Sequence, residues 1–294
     1  MKDKFLTLRE AIHEGTNYLA SHGLETARRD AELLVMNVVG KERAFLYTHP
    51  EWPLSDQERI KFCDWLQRRK DRYPIQYLVG FQEFYGRSFK VDPRVLIPRP
   101  ETELLVDVSL ELIAGRRESV HVADIGTGSG CIAVTLACEN PLVQVTATDI
   151  SPGALEIARE NAERLGCVER IEFVRGDLLE PLVQSSGRNF DLILSNPPYV
   201  DDESTKIDYS VRTFEPPEAV FAGPTGFEIY QKILSGAPAV LHEGGSLVLE
   251  IGAGQLEALE ELARQRGWGL VESRNDLAGI PRCAVFCRTQ TPGG

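Results

Sequence analysis

The sequence predicts an α/β protein in which a doubly wound sheet of seven strands follows a small helical domain and a β-hairpin linker. Residues 1–73 carry only helical patterns of apolar residues. Residues 74–98 change to aromatic and β-branched residues punctuated by glycine and proline, which is typical of a hairpin. In the remaining part, residues 99–294, strand-like and helix-like segments alternate, and this alternation favours a sheet with helices on both faces.

Periodicity and capping residues mark the helices of the first part. The segment from Ala27 to Val39 places its apolar residues on one helical stripe. A second helix is expected after Ser55, because Ser55 and Glu58 have the spacing of a capping box. That helix must end before Pro74, which lacks a backbone N–H and cannot continue a helix.

A strand pair and a helix start lie between the first and third parts. Gly80, Gly86 and Pro93 interrupt the aromatic and β-branched residues and predict a small hairpin. Two prolines and two acidic residues follow within the segment from Pro98 to Glu103. Proline and acidic side chains are typical of a first helical turn, so we expect a helix that runs to about Ile113.

The third part contains seven predicted strands and four further predicted helices. The strands are Val120–Ile125, Val143–Ile150, Ile171–Gly176, Phe190–Ser195, Ser246–Ile251, Gly269–Ser273 and Ala284–Arg288. The helices are expected at about 130–139, 153–165, 225–241 and 254–266. Because no helix separates the last two strands, we expect them to form an antiparallel hairpin at the edge of the sheet.

Composition and charge narrow the classes of function. Hydrophobic residues make up 43% of the 294 residues, yet no run reaches the roughly 18 uncharged apolar residues of a membrane span. The segment from Met1 to Phe5 is charged and lacks an apolar signal core, so we expect a cytoplasmic protein without a membrane partner. The six cysteines form no Cys-x-x-Cys pair, which predicts buried thiols and no metal site.

The charge is unevenly distributed along the chain. Residues 1–75 carry 13 basic and 12 acidic side chains, so the whole net charge of −12 arises in the rest, which carries 19 basic and 32 acidic side chains. Binding to a polyanion relies on basic side chains that release counterions, so an acidic catalytic part disfavours a direct nucleic-acid partner. A neutral or basic protein is the better partner, and we expect the chain to act on it as a monomer.

A glycine-rich loop follows the first strand of the predicted sheet. It runs from Asp124 through Gly126, Thr127, Gly128, Ser129 and Gly130 into a predicted helix. Glycine permits a tight turn and a close approach of the backbone to a ligand, and the place between a strand and a helix strengthens that interpretation. Asp124 is suited to hold an ammonium group, directly or by fixing the loop. A loop with surplus glycines remains the alternative.

Acidic residues also end the second and third predicted strands. Asp149 is positioned to accept hydrogen bonds from both hydroxyls of a ribose, and Asp177 and Leu178 to flank an adenine. A helix N-cap or a turn residue is the alternative for each aspartate. An amino-acid group, a ribose and an adenine in series describe S-adenosylmethionine. The glycine spacing differs from the Gly-x-Gly-x-x-Gly pattern of NAD-binding folds, which disfavours an oxidoreductase.

The fourth predicted strand ends at Asn196-Pro197-Pro198-Tyr199. Two prolines cannot continue a β-ladder, so an amide, free carbonyls and an aromatic ring are fixed at the carboxyl end of a strand. This corner suits a flat, weakly nucleophilic nitrogen, either an amide or the amino group of a base. An ordinary turn is the alternative for the tetrapeptide alone.

Taken together, these motifs resemble those of class I S-adenosylmethionine-dependent methyltransferases, which have a Rossmann-like seven-stranded sheet. Further segments are similar to those of the peptide chain release factor glutamine methyltransferase family. They are Pro74 to Gly80, Phe84 to Phe89, Leu96 to Glu103, Val211 to Pro216 and Asp276 to Ile280. The resemblance covers essentially the whole chain, and the segment from Leu96 to Glu103 is its most specific part.

The resemblance implies a role for each motif. The loop from Gly126 to Gly130 would line the methionine and ribose parts of the cofactor, Asp149 would bind the ribose, and Leu178 would lie beside the adenine, at a position that is often aromatic in relatives. Asn196 to Tyr199 would receive the substrate and help to close the cofactor site. The implied partner is a bacterial class I release factor, the implied substrate the glutamine of its Gly-Gly-Gln motif, and the product N5-methylglutamine.

Chemistry at this corner suggests how the amide nitrogen would be held. The side-chain oxygen of Asn196 and the carbonyl of Pro197 would each accept one N–H, while Tyr199 would pack on the amide plane; methyl transfer would then depend mostly on positioning. An adenine-N6 DNA methyltransferase can use the same corner on a flipped base and is the main alternative. Methylation of a different protein glutamine and a non-catalytic binding module also remain open.

Overall fold

A computed structural model describes residues 6–184 and 189–289 of the chain. The helices are Leu8–Ser21 (α1), Ala27–Val39 (α2), Arg43–Thr48 (α3), Asp56–Lys70 (α4), Ile75–Val79 (α5), Glu103–Leu112 (α6), Cys131–Glu139 (α7), Pro152–Arg164 (α8), Glu180–Gln184 (α9), Tyr209–Phe214 (α10), Pro217–Val220 (α11), Glu228–Gly236 (α12) and Leu256–Arg264 (α13). Short 3-10 turns lie at Pro100–Thr102, Val168–Arg170 and Ala237–Ala239. No helix within the described residues is long and apolar enough to cross a membrane.

Eleven strands are present among the described residues. They are Phe81–Phe84 (β1), Arg87–Lys90 (β2), Val120–Ile125 (β3), Val143–Asp149 (β4), Ile171–Arg175 (β5), Phe190–Ser195 (β6), Val200–Asp201 (β7), Phe221–Gly223 (β8), Leu241–Glu250 (β9), Trp268–Asn275 (β10) and Pro281–Arg288 (β11). Strands β1 and β2 pair as an antiparallel hairpin, and β7 and β8 pair as a separate short parallel ribbon. The other seven strands form one sheet.

The chain divides into two compact units. The first unit contains α1 to α5, up to Gly80, together with the downstream segment Asp208–Phe214, which includes α10. The second unit contains the remaining described residues from Phe81 onward. One helix of the first unit is therefore encoded inside the sequence of the second.

The first unit is built on helices that have well-defined ends. The capping box predicted at Ser55 is present, because the Ser55 hydroxyl accepts a hydrogen bond from the Glu58 N–H and the Glu58 carboxylate accepts the Ser55 N–H. Helices α1, α2 and α4 enclose an apolar core that includes Leu34 and Phe62. The ring of Phe214, the last residue of α10, packs edge-on against the ring of Tyr73, with 5.0 Å between ring centroids.

Residues 75–79 differ from the sequence prediction. The sequence predicts that they belong to the hairpin, whereas they form the single-turn helix α5. Pro74 precedes the helix with a fixed φ of −55°, and Gly80 ends it in the left-handed region with a φ of +85°. Proline at a helix entry and glycine after its end stabilise even a short helix, and this outweighs the β-branched composition.

The large sheet confirms the predicted fold class. Its strand order is β10-β11-β9-β6-β3-β4-β5. Strands β3, β4, β5, β6 and β9 run parallel, whereas β11 pairs antiparallel with both β9 and β10. The last two strands therefore form the predicted antiparallel edge hairpin.

Successive residues of the central strands point to two different cores. On β3 and β6, Val122 and Leu192 belong to one apolar cluster, and Ala123 and Ile193 belong to the other. Side chains alternate between the faces of a strand, so both faces of this sheet are buried under helices. This burial explains why the strands read as apolar runs in the sequence.

The topology places a crevice at one edge of the sheet. From β3 the chain proceeds to β4 and β5 on one side, and it then returns to β6 on the other side of β3. At such a reversal of strand order, the loops after neighbouring strands diverge and leave a ligand-sized opening at their carboxyl ends. The glycine-rich loop follows β3 and the Asn-Pro-Pro-Tyr corner follows β6, so both border this crevice.

Candidate active site

A cavity of about 340 Å³ opens at the carboxyl ends of β3, β4 and β6. Its size lies within the range of about 300–1,000 Å³ that is typical of small-molecule sites. The predicted site residues that line this cavity are Gly126, Gly128, Asp149, Asp177, Leu178, Asn196 and Pro198. Predicted residues from four separate sequence segments, on both sides of β3, therefore meet around one space.

Glycines form the wall of the cavity that follows β3. Gly126 and Gly128 have φ values of +72° and +55°, and the position of a Cβ atom on either residue has no heavy atom within 4 Å. A side chain at these positions would enter the cavity. The wall is thus shaped for a ligand that approaches the backbone closely.

Asp149 ends β4 and is held by two backbone hydrogen bonds. Its Oδ2 accepts from the Gly128 N–H and its Oδ1 from the Ser151 N–H, each at 2.9 Å. Burial raises the pKa of this carboxyl above its usual range, while the two N–H donors act in the opposite direction. Each carboxylate oxygen retains a free lone pair, so the group can accept two further hydrogen bonds from vicinal hydroxyls.

The apolar side of the cavity includes Leu178, which adopts a positive φ of +50°. This conformation is uncommon for a residue with a branched side chain and costs energy. The Thr148 hydroxyl donates to the Leu178 carbonyl at 3.1 Å and helps to hold the turn. The neighbouring Asp177 also lines the cavity, and Lys232 lies 3.5 Å from its carboxylate.

Four residues of the predicted cofactor set lie behind this wall instead of on it. Ser129 is buried, and Gly130 packs so closely on α8 that an added Cβ would be 3.0 Å from the Ala158 Cβ. The Thr127 hydroxyl donates to the Asp124 Oδ2 at 2.6 Å. These residues shape the loop from inside. Of the two roles expected for Asp124, this position fits the fixing of the loop better than a direct contact with an ammonium group.

Asp124 is fully buried and carries one oxygen, Oδ1, with no hydrogen-bond partner among the described residues. Burial raises the pKa of Asp124 to about 6, although hydrogen bonds from Thr127 and the Ala133 N–H oppose the shift. An acid whose pKa is higher in the folded than in the unfolded protein is most stabilising below its unfolded pKa, and that stability is lost as the pH rises through the folded pKa.

Replacement of Asp124 by asparagine is therefore expected to remove one pH-dependent component of stability. Between pH 5.5 and 7.5 the melting temperature of the variant should rise by roughly 2 °C relative to the wild type, because only the wild type must ionise a buried carboxyl. Thermal unfolding of both proteins across this pH range, without ligand, measures the difference. A constant offset between the two curves would show that Asp124 does not titrate there.

Only two residues of the Asn-Pro-Pro-Tyr corner line the cavity. Asn196 and Pro198 line it, whereas Pro197 is buried and does not line it. Tyr199 turns its hydroxyl inward and donates to the Glu250 Oε1 at 3.3 Å. Asn196, half-buried at the cavity wall, is therefore the polar side chain of the corner that reaches the cavity.

Two polar residues without a predicted role support Asn196 from behind. The Asn196 Nδ2 donates to the Thr102 Oγ1 at 3.1 Å, and Thr102 in turn donates to the Glu250 Oε2 at 2.6 Å. The sequence places Thr102 in the segment from Leu96 to Glu103 and Glu250 in the predicted strand Ser246–Ile251, and it predicts no role for either side chain. A carboxylate inside a predicted buried strand is costly unless it has partners, and this was the available signal.

An ion pair joins two of the segments that carried the family resemblance. Glu215 is buried, its Oε1 accepts from the Arg99 Nη2 at 2.5 Å, and its Oε2 accepts from the Ile97 N–H at 3.1 Å. The adjoining Pro216 lines the cavity. These bonds fix the segment from Leu96 to Glu103 beside the site, so that Thr102 faces Asn196.

A larger hollow of about 580 Å³ lies at the opposite end of the parallel strands. Its walls include His121, Glu169 and His242, and none of the predicted site residues. In open α/β sheets ligands bind at the carboxyl ends of the strands, so the smaller cavity is the candidate active site.

Comparisons with known proteins agree with this geometry. A family model described as PrmC N-terminal domain matches residues 10–80, and one described as Methyltransferase small domain matches residues 101–222. The chain is 43% identical over 281 residues to the release factor glutamine methyltransferase of Koribacter versatilis. This match covers 95% of this chain and 98% of that protein. The chain is 40% identical over 287 residues to the release factor glutamine methyltransferase of Moorella thermoacetica, with 97% and 100% covered.

A solved structure with lower sequence identity shares the fold. The T. thermophilus 16S rRNA N2 G1207 methyltransferase in complex with AdoMet and guanosine matches with a TM-score of 0.51 and 18% identity, over 71% of this chain and 50% of that one. Sequence identity of about 40% over nearly the whole chain shows the family as well as the fold. The protein is an enzyme, and it belongs to the release factor glutamine methyltransferase family.

Proposed function

We propose that this enzyme transfers a methyl group from S-adenosylmethionine to the side-chain amide nitrogen of the Gly-Gly-Gln glutamine in bacterial class I release factors. The single observation that carries the proposal is that Asn196 and Asp149 face the same cavity, with Asn196 held by Thr102. The relatives that are named release factor glutamine methyltransferases support the choice of substrate. Family membership does not favour the alternative of an adenine-N6 DNA methyltransferase.

The cavity fits the methyl donor by its shape and its donor set. The open backbone at Gly126 and Gly128 accommodates the methionine and ribose parts, and Asp149 accepts the ribose hydroxyls. Leu178 and Asp177 flank the adenine. When bound, S-adenosylmethionine supplies a methyl group that is already activated by its sulfonium sulfur.

Asn196 is assigned the task of holding the substrate amide. Its Nδ2 donates to Thr102, so its Oδ1 is the atom available to accept an N–H of the glutamine amide. An amide nitrogen is a poor nucleophile because its lone pair is shared with the carbonyl. Fixing its N–H groups aims the nitrogen at the methyl carbon, and positioning of this kind is a major part of catalysis in bimolecular transfers.

The remaining residues of the corner keep supporting roles in this proposal. Pro197 does not line the cavity, so the second carbonyl acceptor expected of it is not part of this proposal, whereas Pro198 forms the cavity wall beside Asn196. The Tyr199 hydroxyl donates to Glu250 and so holds the inner side of the corner in place. Asp124, Thr127, Ser129 and Gly130 keep the loop in a shape that admits the donor.

The biological setting of the activity is also part of the proposal. We place the enzyme in the cytoplasm, as a monomer that modifies release factors for translation termination, without a direct nucleic-acid or membrane partner. The acidic charge of the region after residue 75 supports a protein partner over a polyanion.

Incubation of the protein with donor and a purified release factor tests the proposal directly. Peptide mass spectrometry is expected to locate one added methyl group on the glutamine of the Gly-Gly-Gln motif. A release factor in which that glutamine is replaced by asparagine serves as the matched control and should gain no methyl group. A mark on another residue, or on the glutamine of a different protein only, would overturn the substrate assignment.

A further inference from the structure

A relay of three side chains runs from the protein interior to the substrate side of the candidate active site. Glu250, at the end of β9, is only 2% exposed, and its Oε2 accepts from Thr102, whose Oγ1 accepts in turn from the Asn196 Nδ2. Neither Glu250 nor Thr102 lines the cavity, although Asn196 does. The relay therefore contacts the ligand space only at its outer end.

The hydrogen-bonding chemistry of the relay gives it one direction. An ionised carboxylate can only accept hydrogen bonds, so the single hydroxyl proton of Thr102 must point to Glu250. The Thr102 oxygen is then left with lone pairs, and Asn196 must turn its NH₂ group toward it. As a result the Asn196 carbonyl oxygen faces the cavity, where an amide N–H needs an acceptor.

The second oxygen of Glu250 is also occupied, because its Oε1 accepts from the Tyr199 hydroxyl. The carboxylate is thus held from both sides in a fixed orientation. With a glutamine at position 250, the amide NH₂ would be able to donate to Thr102 and reverse the relay. Asn196 would then be free to present its NH₂ group to the substrate nitrogen, which has no accessible lone pair to offer.

We propose that Glu250 is a positioning residue that acts through Thr102 to set the amide orientation of Asn196, and thereby selects an N–H donor as the substrate group. This inference rests on the proposed function, because it concerns how the same site recognises an amide nitrogen. The relay explains why a buried acid is retained at the end of an apolar strand, where an unpaired carboxylate would be destabilising.

Ionisation of Glu250 is sensitive to pH near neutrality. Burial raises its pKa to about 7, while hydrogen bonds from Thr102 and Tyr199 and the charge of Arg282 favour the ionised form. The titratable or charged groups that face it are Tyr199, Tyr230, Glu101, Arg282, Cys131 and Cys283. Protonation would allow the carboxyl to donate, so the fixed direction of the relay is complete only above this pKa.

Glu250→Gln and Thr102→Val test the relay, because each replacement is close in size and changes one link. Both are expected to lower kcat by about 10²-fold while leaving the affinity for S-adenosylmethionine, measured by calorimetry, near the wild-type value. Thr102→Ser keeps the hydroxyl and should restore most of the rate. The ratio of wild-type kcat to Glu250→Gln kcat should rise from pH 6 to pH 8, as the wild-type carboxyl ionises.

Tyr230→Phe provides the matched control. The Tyr230 hydroxyl donates to the backbone carbonyl of Glu250 at 2.9 Å, so its loss disturbs the same residue but leaves the relay intact. Its kcat should stay near the wild-type value. The inference is overturned if Thr102→Val or Glu250→Gln retains wild-type kcat, or if Tyr230→Phe loses as much activity as they do. Absence of transfer by the wild-type enzyme would instead contradict the proposed function.

Discussion

Replacement of Asn196 by alanine is expected to reduce kcat by about 10³-fold, since loss of one aligned hydrogen-bonding group in an active site commonly costs about 10²–10³-fold. Here the alanine also leaves the Thr102 hydroxyl without its second partner, so the corner loses both its acceptor and the group that shaped it. Transfer of label from the donor to a release factor, at saturating concentrations of both, measures the effect.

Two controls separate this loss from a defect in folding. Asn189 precedes the same strand, β6, at its opposite end and is exposed, so Asn189→Ala should keep wild-type turnover. Thermal unfolding of Asn196→Ala should shift by only a few degrees, because one hydrogen bond contributes about 1 kcal/mol. Near-normal turnover of Asn196→Ala would refute the role assigned to its side chain.

Replacement of Asp149 by alanine is expected to weaken donor binding by about 10²-fold or more. Hydrogen bonds to a charged group contribute about 1.5–3 kcal/mol each, and the ribose would lose two of them. The Gly128 N–H would also lose its partner, which loosens the glycine wall. Calorimetric titration with S-adenosylmethionine measures the change in Kd directly.

The dependence of turnover on the concentration of donor distinguishes the two site residues. For Asp149→Ala, saturating donor should restore much of kcat, whereas for Asn196→Ala it should not, because the proposal assigns donor binding to the first side chain and the holding of the acceptor to the second. Asp149→Asn retains one acceptor oxygen and should bind with intermediate affinity. An unchanged Kd in Asp149→Ala would remove this residue from the donor site.

Local signals made most of the fold predictable from the sequence. The strands of the sheet are buried on both faces, so their apolar runs stand out, and all seven were expected close to their actual positions. Boundaries were less accurate: β9 begins at Leu241, five residues before its predicted start, because the glycines at 244 and 245 obscured the first part of the strand. The short ribbon β7–β8 is too small to leave a pattern.

The candidate site was likewise predictable only in part. Its outer residues, such as Gly128, Asp149 and Asn196, follow strands at an edge where sequence order alone predicts a meeting point. The relay through Thr102 and Glu250 joins positions 148 residues apart and depends on the exact approach of a 3-10 turn to the end of β9. No local pattern encodes such an approach, so it required the three-dimensional structure.

The helix α10 has a consequence for how this architecture can be rearranged. Because Asp208–Phe214 belongs to the first unit but is encoded downstream, the first unit is discontinuous in the gene. A recombination event that joined residues 1–80 to an unrelated enzyme would transfer this unit without one of its helices. The Tyr73 ring would then lose the Phe214 contact. The two units are therefore expected to be inherited together, and chimaeras between relatives should be designed with at least two crossover points around 208–214.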